Sequence, residues 1–282
     1  MRQFIVEKGK VKNGLIQLDG KDYRYLRQVL RVRVGDMISV RLPDGSLNNA
    51  TVAKIDENAR LVILQLCADT AGRGGAEKSI TRGVQAEELG DGGVEGAAGV
   101  EYWLFQFLPR PQKFELIVRQ ATECGVSVIV PVVGEYSEKS SAQALMGAKR
   151  ERLERIVREA RQQSGSPVDT KVLEPVSLEK AIELWNSGNT VADDVAFVLS
   201  ERGDCDGNLR KVIEGAGDGE KLRRVAIAVG SEGGISPDEV KLLEEKGLFQ
   251  PIHFAVNILR CETAALYGIA AVQTEVGYTK CQ

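Results

Sequence analysis

The chain has 282 residues, 43% of them hydrophobic, and a formal net charge of −3. That is enough apolar material for two ordinary domains with their own cores, and no apolar run reaches the length of a membrane helix. Five scattered cysteines (Cys67, Cys124, Cys205, Cys261, Cys281) without a C-x-x-C pair, and a single histidine, His253, argue against a disulfide framework and against a metal site. The first residues, Met1 to Glu7, lack the hydrophobic stretch of a signal peptide, so the expected compartment is the cytoplasm.

Residues 1–50 carry ten lysines and arginines against five acids (Glu7, Asp19, Asp22, Asp36, Asp44), a local surplus of five on an acidic chain. A basic module of this kind is either an ordinary solvated surface or a footprint for a phosphate backbone. Alternating short runs predict strands at Leu15 to Leu18, Met37 to Arg41, Ala50 to Ile55 and Leu61 to Leu66, separated by turns such as Pro43-Asp44-Gly45. One helix is expected between them, capped by Asp19, with Tyr23, Leu26, Val29 and Leu30 at helical spacing and Arg24, Arg27 and Arg31 on its outer face. The pattern is that of a small β-barrel covering residues 1–67.

Residues 68–99 differ in kind: nine glycines, six acids and almost no large apolar side chain predict a linker or insertion without a core of its own. From residue 101 to the end, strands alternate with helices, the signature of a mostly parallel sheet covered on both faces. Strands are predicted at Tyr102 to Phe107, Val126 to Val130, Ala196 to Leu199, Val225 to Val229 and Ile252 to Ala255, with a minor one near Lys171 to Leu173 and His253 inside the last. Helices are expected at about Gln112 to Cys124, Ala142 to Gln163, Leu178 to Trp185, Leu209 to Glu214, Pro237 to Lys246 and Thr263 to Val276, the first stopped by Gly125.

The most informative stretch runs from Val225 through Gly230-Ser231-Glu232-Gly233-Gly234 to Ser236-Pro237-Asp238-Glu239. A buried strand stops at a glycine turn, and a serine cap, a proline and a glutamate three residues past the cap announce a helix. The loop therefore sits at the carboxyl end of a strand, where open α/β sheets bind ligands. It matches neither G-x-G-x-x-G nor the P-loop, which argues against a nucleotide hydrolase, and Glu232 suits a cationic or zwitterionic ligand better than an anion. A tight turn with no ligand is the alternative at this point.

Together with Ile258-Leu259-Arg260-x-Glu262-Thr263-Ala264, this loop resembles the signature of the bacterial 16S ribosomal RNA (uracil-N3)-methyltransferases of the trefoil-knotted SPOUT class. The N-terminal module, down to Leu30-Arg31-Val32-Arg33-Val34-Gly35-Asp36, is similar to the PUA-like RNA-binding domain of that family, and Arg158 to Gly165 matches a further recurring stretch. The resemblance implies a knotted α/β domain behind a PUA-like barrel, S-adenosylmethionine as cofactor, 16S RNA or the small subunit as partner, and a homodimer without metal. It places the cofactor against Leu199, Ser200, Gly230, Glu232, Gly233, Gly234, Val256, Ile258, Leu259 and Arg260, with Glu232 toward the sulfonium. RNA contacts are expected from Arg24, Arg27, Arg31, Arg33, Arg158 and Arg161.

For the chemistry, Arg260 is expected to stabilise the anion that develops on the uracil imide, and Glu262 to orient that arginine, to accept the proton, or simply to form a salt bridge at the start of the last helix. The terminal helix presents Ala264, Gly268 and Ala271 on one face, small enough for a very close neighbour, either a second subunit or the chain's own core. Several residues depart from the family pattern: Ser231 for proline, Ala255-Val256 for leucine-glycine, and Gln120, Tyr136 and Asn257 for cations. Loss of three cations keeps open a second reading, a non-catalytic or retargeted RNA-binding protein of the same fold acting in ribosome assembly.

Overall fold

The computed structural model describes residues 3–67, 99–145, 148–187, 193–200, 209–215 and 222–280. The chain divides into two compact units, Met1–Gly93 and Val94–Gln282. The glycine-rich stretch predicted as a linker lies outside the described residues except for Gly99.

In the first unit six strands form one curled sheet: β1 (Gln3–Ile5), β2 (Val11–Lys12), β3 (Leu15–Leu18), β4 (Met37–Arg41), β5 (Leu47–Asp56) and β6 (Leu61–Leu66), in the order β1-β4-β5-β6-β3-β2. All pairs are antiparallel except β1 with β4. A bulge between Val52 and Lys54 adds the local twist that curls a sheet around its core. That core holds Phe4, Ile16, Leu18, Leu26, Val40, Val52, Val62 and Leu64, the inward alternation read from the sequence.

The predicted helix departs from expectation in two ways. After α1 (Gly20–Arg24) the chain continues as π-helix over Tyr25–Leu30 and stops at Arg31, which takes a left-handed backbone with φ 55°. A wider turn breaks the 3.6-residue spacing, so Arg24, Arg27 and Arg31 do not share one regular face. Asp19 makes no side-chain cap; its carboxylate is taken by the Lys10 ammonium at 2.9 Å.

The second unit is a parallel sheet between two layers of helices. Its strands are β7 (Glu101–Phe107), β8 (Val128–Val133), β9 (Lys171–Val172), β10 (Val176–Ser177), β11 (Asp194–Leu199), β12 (Arg224–Val229) and β13 (Phe249–Ile252). They lie in the order β10-β8-β7-β12-β11-β13, with β9 also on β8, every pair parallel. Helices α2 (Pro111–Glu123), α3 (Lys139–Leu145), α4 (Ala148–Ser164), α5 (Leu178–Asn186), α6 (Leu209–Gly215), α7 (Pro237–Gly247) and α8 (Cys261–Lys280) connect and follow them. Alternate residues of the central strands serve opposite faces. Leu104, Ile129, Phe197, Val225 and Ile227 pack with Phe114 and Ile117 of α2, Leu153 and Ile156 of α4, and Ala265 and Ile269 of α8. Phe105, Val130, Ala196, Val198, Ala226 and Ala228 pack with Ile182 and Trp185 of α5 and Leu243 of α7.

Several boundaries move for identifiable reasons. Gly125, at φ 75°, closes α2 with its own N–H on the Thr122 carbonyl and the Val126 N–H on that of Ala121, so Val126 is spent on the helix stop and β8 starts at Val128. The long helix expected from Ala142 to Gln163 is described as α3 and α4, and residues 146 and 147 between them lie outside the described residues. The last strand lies at 249–252, earlier than predicted, because β13 is an edge strand that tolerates Pro251, whose missing N–H costs no ladder bond. His253 falls just beyond it, its Nδ1 3.1 Å from the Ser200 carbonyl.

Candidate active site at the carboxyl edge of the sheet

Because the strands are parallel, Phe107, Val133, Leu199, Val229 and Ile252 all end at one edge. Beyond β12 the glycine loop folds on itself. A side-chain carbon at Gly230 would lie 2.7 Å from the Gly234 carbonyl carbon, and Gly234 has φ +80°. Both positions therefore need glycine. The Gly234 N–H donates to the Ser231 carbonyl at 3.0 Å, and α7 then starts with the predicted capping box of Ser236 and Glu239.

Side chains from other elements pin this loop. Gln106, fully buried at the end of β7, donates through Nε2 to the carbonyls of Phe107, Val229 and Gly230 at 2.9, 3.3 and 3.1 Å, while its Oε1 is buried without a hydrogen-bond partner among the described residues. The Ser231 hydroxyl donates to the Tyr136 carbonyl at 2.9 Å, a bond that a proline at this position could not make. The Glu135 N–H donates to Glu239 Oε1 at 2.7 Å. The loop after β8 is thus tied to the glycine loop at two points.

On the far side, the Ser200 N–H donates to the Ile252 carbonyl at 2.9 Å. Leu199 packs against α8, where a side chain at Gly268 would lie 2.7 Å from Leu199 Cδ1. The small face of α8 is therefore filled by the chain's own sheet. The 256–260 segment is open: Ile258 is 81% exposed and Val256 43%. Arg260 is exposed, and its guanidinium makes no hydrogen bond or ion pair with a described residue. Its carbonyl accepts the Ala264 N–H at 2.7 Å, which places it at the entrance of α8.

The residue that sequence reasoning missed is Lys113. From the first turn of α2 its Nζ reaches Glu262 Oε2 at 3.2 Å and Glu232 Oε1 at 3.5 Å, and the Arg110 N–H donates to Glu232 at 3.3 Å. The glycine loop, the start of α2 and the start of α8 meet at this lysine. Glu262 is therefore not paired with Arg260, and the expected salt bridge at the head of the last helix runs to Lys113 instead. Burial works to raise the Glu262 pKa, but its own backbone N–H, the Cys261 thiol and Lys113 outweigh it and hold the carboxyl below the usual range. The Cys261 thiol is pushed up to about 12, first by burial and then by its bond to Glu262.

The expected RNA-contacting arginines divide. In the first unit Arg24, Arg31 and Arg33 are exposed, whereas Arg27 donates to the Val32 carbonyl and to Glu57, both at 2.8 Å. In the second unit Arg158 is half-buried. Arg161 is only 11% exposed, paired with Asp169 and donating to the Pro167 carbonyl at 3.3 Å, so it braces the turn after α4 and is no open cation for phosphate.

The site brings together a glycine loop packed tightly on itself and on Tyr136, the buried Gln106 Oε1 without a partner among the described residues, and two carboxylates against one lysine. Among the described residues no cluster of His, Cys, Asp or Glu is placed to hold a metal, and no helix is long and apolar enough to cross a membrane.

Comparison with known proteins matches two family models, an RNA methyltransferase domain over residues 98–273 and an RNA methyltransferase PUA domain over residues 18–64. The chain is 33% identical over 152 residues to ribosomal RNA small subunit methyltransferase E of Aquifex aeolicus, a match covering 54% of this chain and 58% of that protein. It is 24% identical over 272 residues to methyltransferase E 2 of Borreliella burgdorferi, with 96% of each covered. Among solved structures it shares its fold with the Neisseria gonorrhoeae methyltransferase E bound to S-adenosylmethionine, with a TM-score of 0.70 at 22% identity over 97% of both chains.

Proposed function

The chain belongs to the RNA methyltransferase family, and on that premise we propose that it is an S-adenosylmethionine-dependent enzyme that methylates N3 of a uridine in 16S ribosomal RNA. The observation that carries this reading is that Lys113 joins Glu232 of the glycine loop to Glu262 at the head of α8, at the carboxyl edge of one parallel sheet, with the exposed Arg260 just before that helix. Backbone groups of Gly230, Gly233, Gly234, Val256, Ile258 and Leu259, with Leu199 and Ser200 beside them, would hold the cofactor, and Glu232 would lie toward its positive end.

When bound, S-adenosylmethionine supplies an electrophilic methyl group on a positively charged sulfur. The chain's own tasks are orientation and charge stabilisation. Loss of the N3 proton spreads negative charge over the two imide oxygens, and the Arg260 guanidinium is free to donate to one of them. Glu262, ionised and held by Lys113, acts as an anchor for the head of α8 and not as the group that takes the proton.

The exposed Arg24, Arg31 and Arg33 are assigned to the RNA backbone, with the small ribosomal subunit as partner and the cytoplasm as the place of action. A homodimer completes the reading. Its support is the resemblance together with the exposed Val256, Ile258 and Tyr267, since the small face of α8 is occupied by Leu199. Calorimetric titration with S-adenosylmethionine, combined with mass mapping of 16S RNA from cells with and without the gene, tests the proposal. A missing methyl group on one uridine is expected; unchanged RNA together with no heat of cofactor binding would overturn it and favour the non-catalytic reading.

A further inference from the structure

Tyr136 is 47% exposed and stands directly against the glycine loop. A side-chain carbon at Gly233 would lie 2.7 Å from the Tyr136 Cβ, 3.3 Å from its Cγ and 3.7 Å from its Cδ2. Gly233 has no positive φ to demand glycine, unlike Gly234; what excludes a side chain there is the close Tyr136 Cβ, with the root of the ring beyond it. The backbone on either side of the ring is fixed. The Ser231 hydroxyl holds the Tyr136 carbonyl, Glu239 holds the Glu135 N–H, and the Gly134 N–H donates to Ser137 Oγ at 2.9 Å. A half-exposed aromatic ring on a backbone braced at three successive residues is costly to arrange for mere surface cover, because exposed loop residues are ordinarily left mobile.

We propose that Tyr136 is a stacking platform for an unpaired base of the RNA substrate, seated beside the methyl-transfer site; this rests on the RNA methyltransferase reading. The surrounding charge selects the part of the RNA that can approach. The charged side chains of the two loops are all acids, Glu135, Glu138 and Glu232, the last shared by Lys113, so neither loop offers a cation to a phosphate. A neutral base face needs none, and base–aromatic stacking is tolerant of sequence. The position at which the family pattern has an arginine therefore reads a base plane in this chain.

The test uses the full-length protein and an unstructured oligouridylate of about eight nucleotides, within the range that single-strand sites accommodate. Tyr136→Phe should bind it as the wild type does, and Tyr136→Leu should bind about tenfold more weakly or worse, with S-adenosylmethionine affinity by calorimetry unchanged in both. Gly233→Ala, which pushes on the ring, should weaken the oligonucleotide in the same direction. Tyr136→Trp should show emission quenched by the oligonucleotide beyond any change from Trp103 and Trp185 in the wild type, a signature that a packing role would not produce. Wild-type affinity in Tyr136→Leu, or unquenched emission in Tyr136→Trp, would overturn the proposal. Loss of cofactor affinity in Tyr136→Leu with intact oligonucleotide binding would also overturn it, by assigning the ring to the cofactor. Failure of the methyltransferase reading itself would appear separately, as absence of cofactor binding in the wild type.

Discussion

Lys113 holds together three segments that are far apart in sequence, and its replacement by methionine isolates what that charge does. At 3.2 Å two unit charges attract by roughly 1 kcal/mol in water and roughly 5 kcal/mol at an effective dielectric of 20. The lysine side chain is 29% exposed, Glu232 33% and Glu262 16%, so solvent screening applies and each pair is expected near the upper end of the range for accessible ion pairs, about 1 kcal/mol. Lys113→Met should therefore destabilise the second unit by about 1–2 kcal/mol at pH 7. Both tryptophans, Trp103 and Trp185, lie in that unit, so urea titration followed by their fluorescence reads it selectively. The pH dependence has a fixed sign. Glu262 has its carboxyl pKa lowered in the folded state, so its contribution is present above the unfolded value of about 4.3 and lost as pH falls through the lower folded one. Lys113 is shifted upward, since its bond and charge contacts with Glu262, Cys261 and Glu232 outweigh desolvation, so the pair persists until pH rises past the ordinary lysine range. The difference between wild type and Lys113→Met should be constant from about pH 6 to 9 and shrink toward pH 4. Glu262→Gln should cost less in the Lys113→Met background than alone. Equal losses at pH 4 and pH 7, or strictly additive single mutants, would refute the assignment and return Glu262 to the candidates for the proton acceptor.

Arg260→Ala should lower turnover by roughly 10² while leaving cofactor affinity and the thermal midpoint near wild type, because the guanidinium has no partner among the described residues to lose; methylation of 16S RNA at the wild-type rate would show the assignment wrong. Asp194→Ala should cost about 3–5 kcal/mol in the same urea assay, since it leaves the buried Arg224, now bonded to Asp194 at 2.7 Å and stacked 4.5 Å over Trp185, without its counter-charge. Cys261, with a thiol pushed to about 12, should resist iodoacetamide at pH 8 in the native protein and react in urea, and mass spectrometry of the alkylated peptides distinguishes it from Cys67.

What could be read beforehand followed from local chemistry. The branched run at Val225 to Val229 gives β12, Ser236-Pro237-x-Glu239 gives the head of α7, and Gly125 gives the tail of α2, because each depends on neighbours within a few residues. The misreadings have a different origin. A π-helix at Tyr25–Leu30 is no property of residue spacing, and the distinction between Asp19 as a cap and Asp19 as the partner of Lys10 depends on where β2 lies. Lys113 was illegible as a site residue for the same reason: it is one of many lysines until the order β7-β12-β11 brings the start of α2 beside the glycine loop and α8.

The three positions at which cations are replaced by neutral residues do not bear equally on the RNA. Gln120 lies on α2 with its Oε1 buried and unpartnered among the described residues, in the layer that packs against the sheet. A side chain that turns its oxygen into that layer is not set out toward a phosphate, so its neutrality says little about nucleic acid. Asn257 and Tyr136 are exposed, one in the open segment before Arg260 and the other against Gly233, both at the edge where the strands end. At that edge the glycine loop contributes Glu232 and the loop after β8 contributes Glu135 and Glu138, while Lys113 is engaged by two carboxylates. Arg260 and Arg110 are then the exposed arginines at that edge whose guanidinium groups have no partner among the described residues, and on the proposed reading Arg260, beside the start of α8, is assigned to the developing charge of a reacting imide. On the proposed reading, affinity for the RNA backbone is assigned to the exposed Arg24, Arg31 and Arg33 of the first unit.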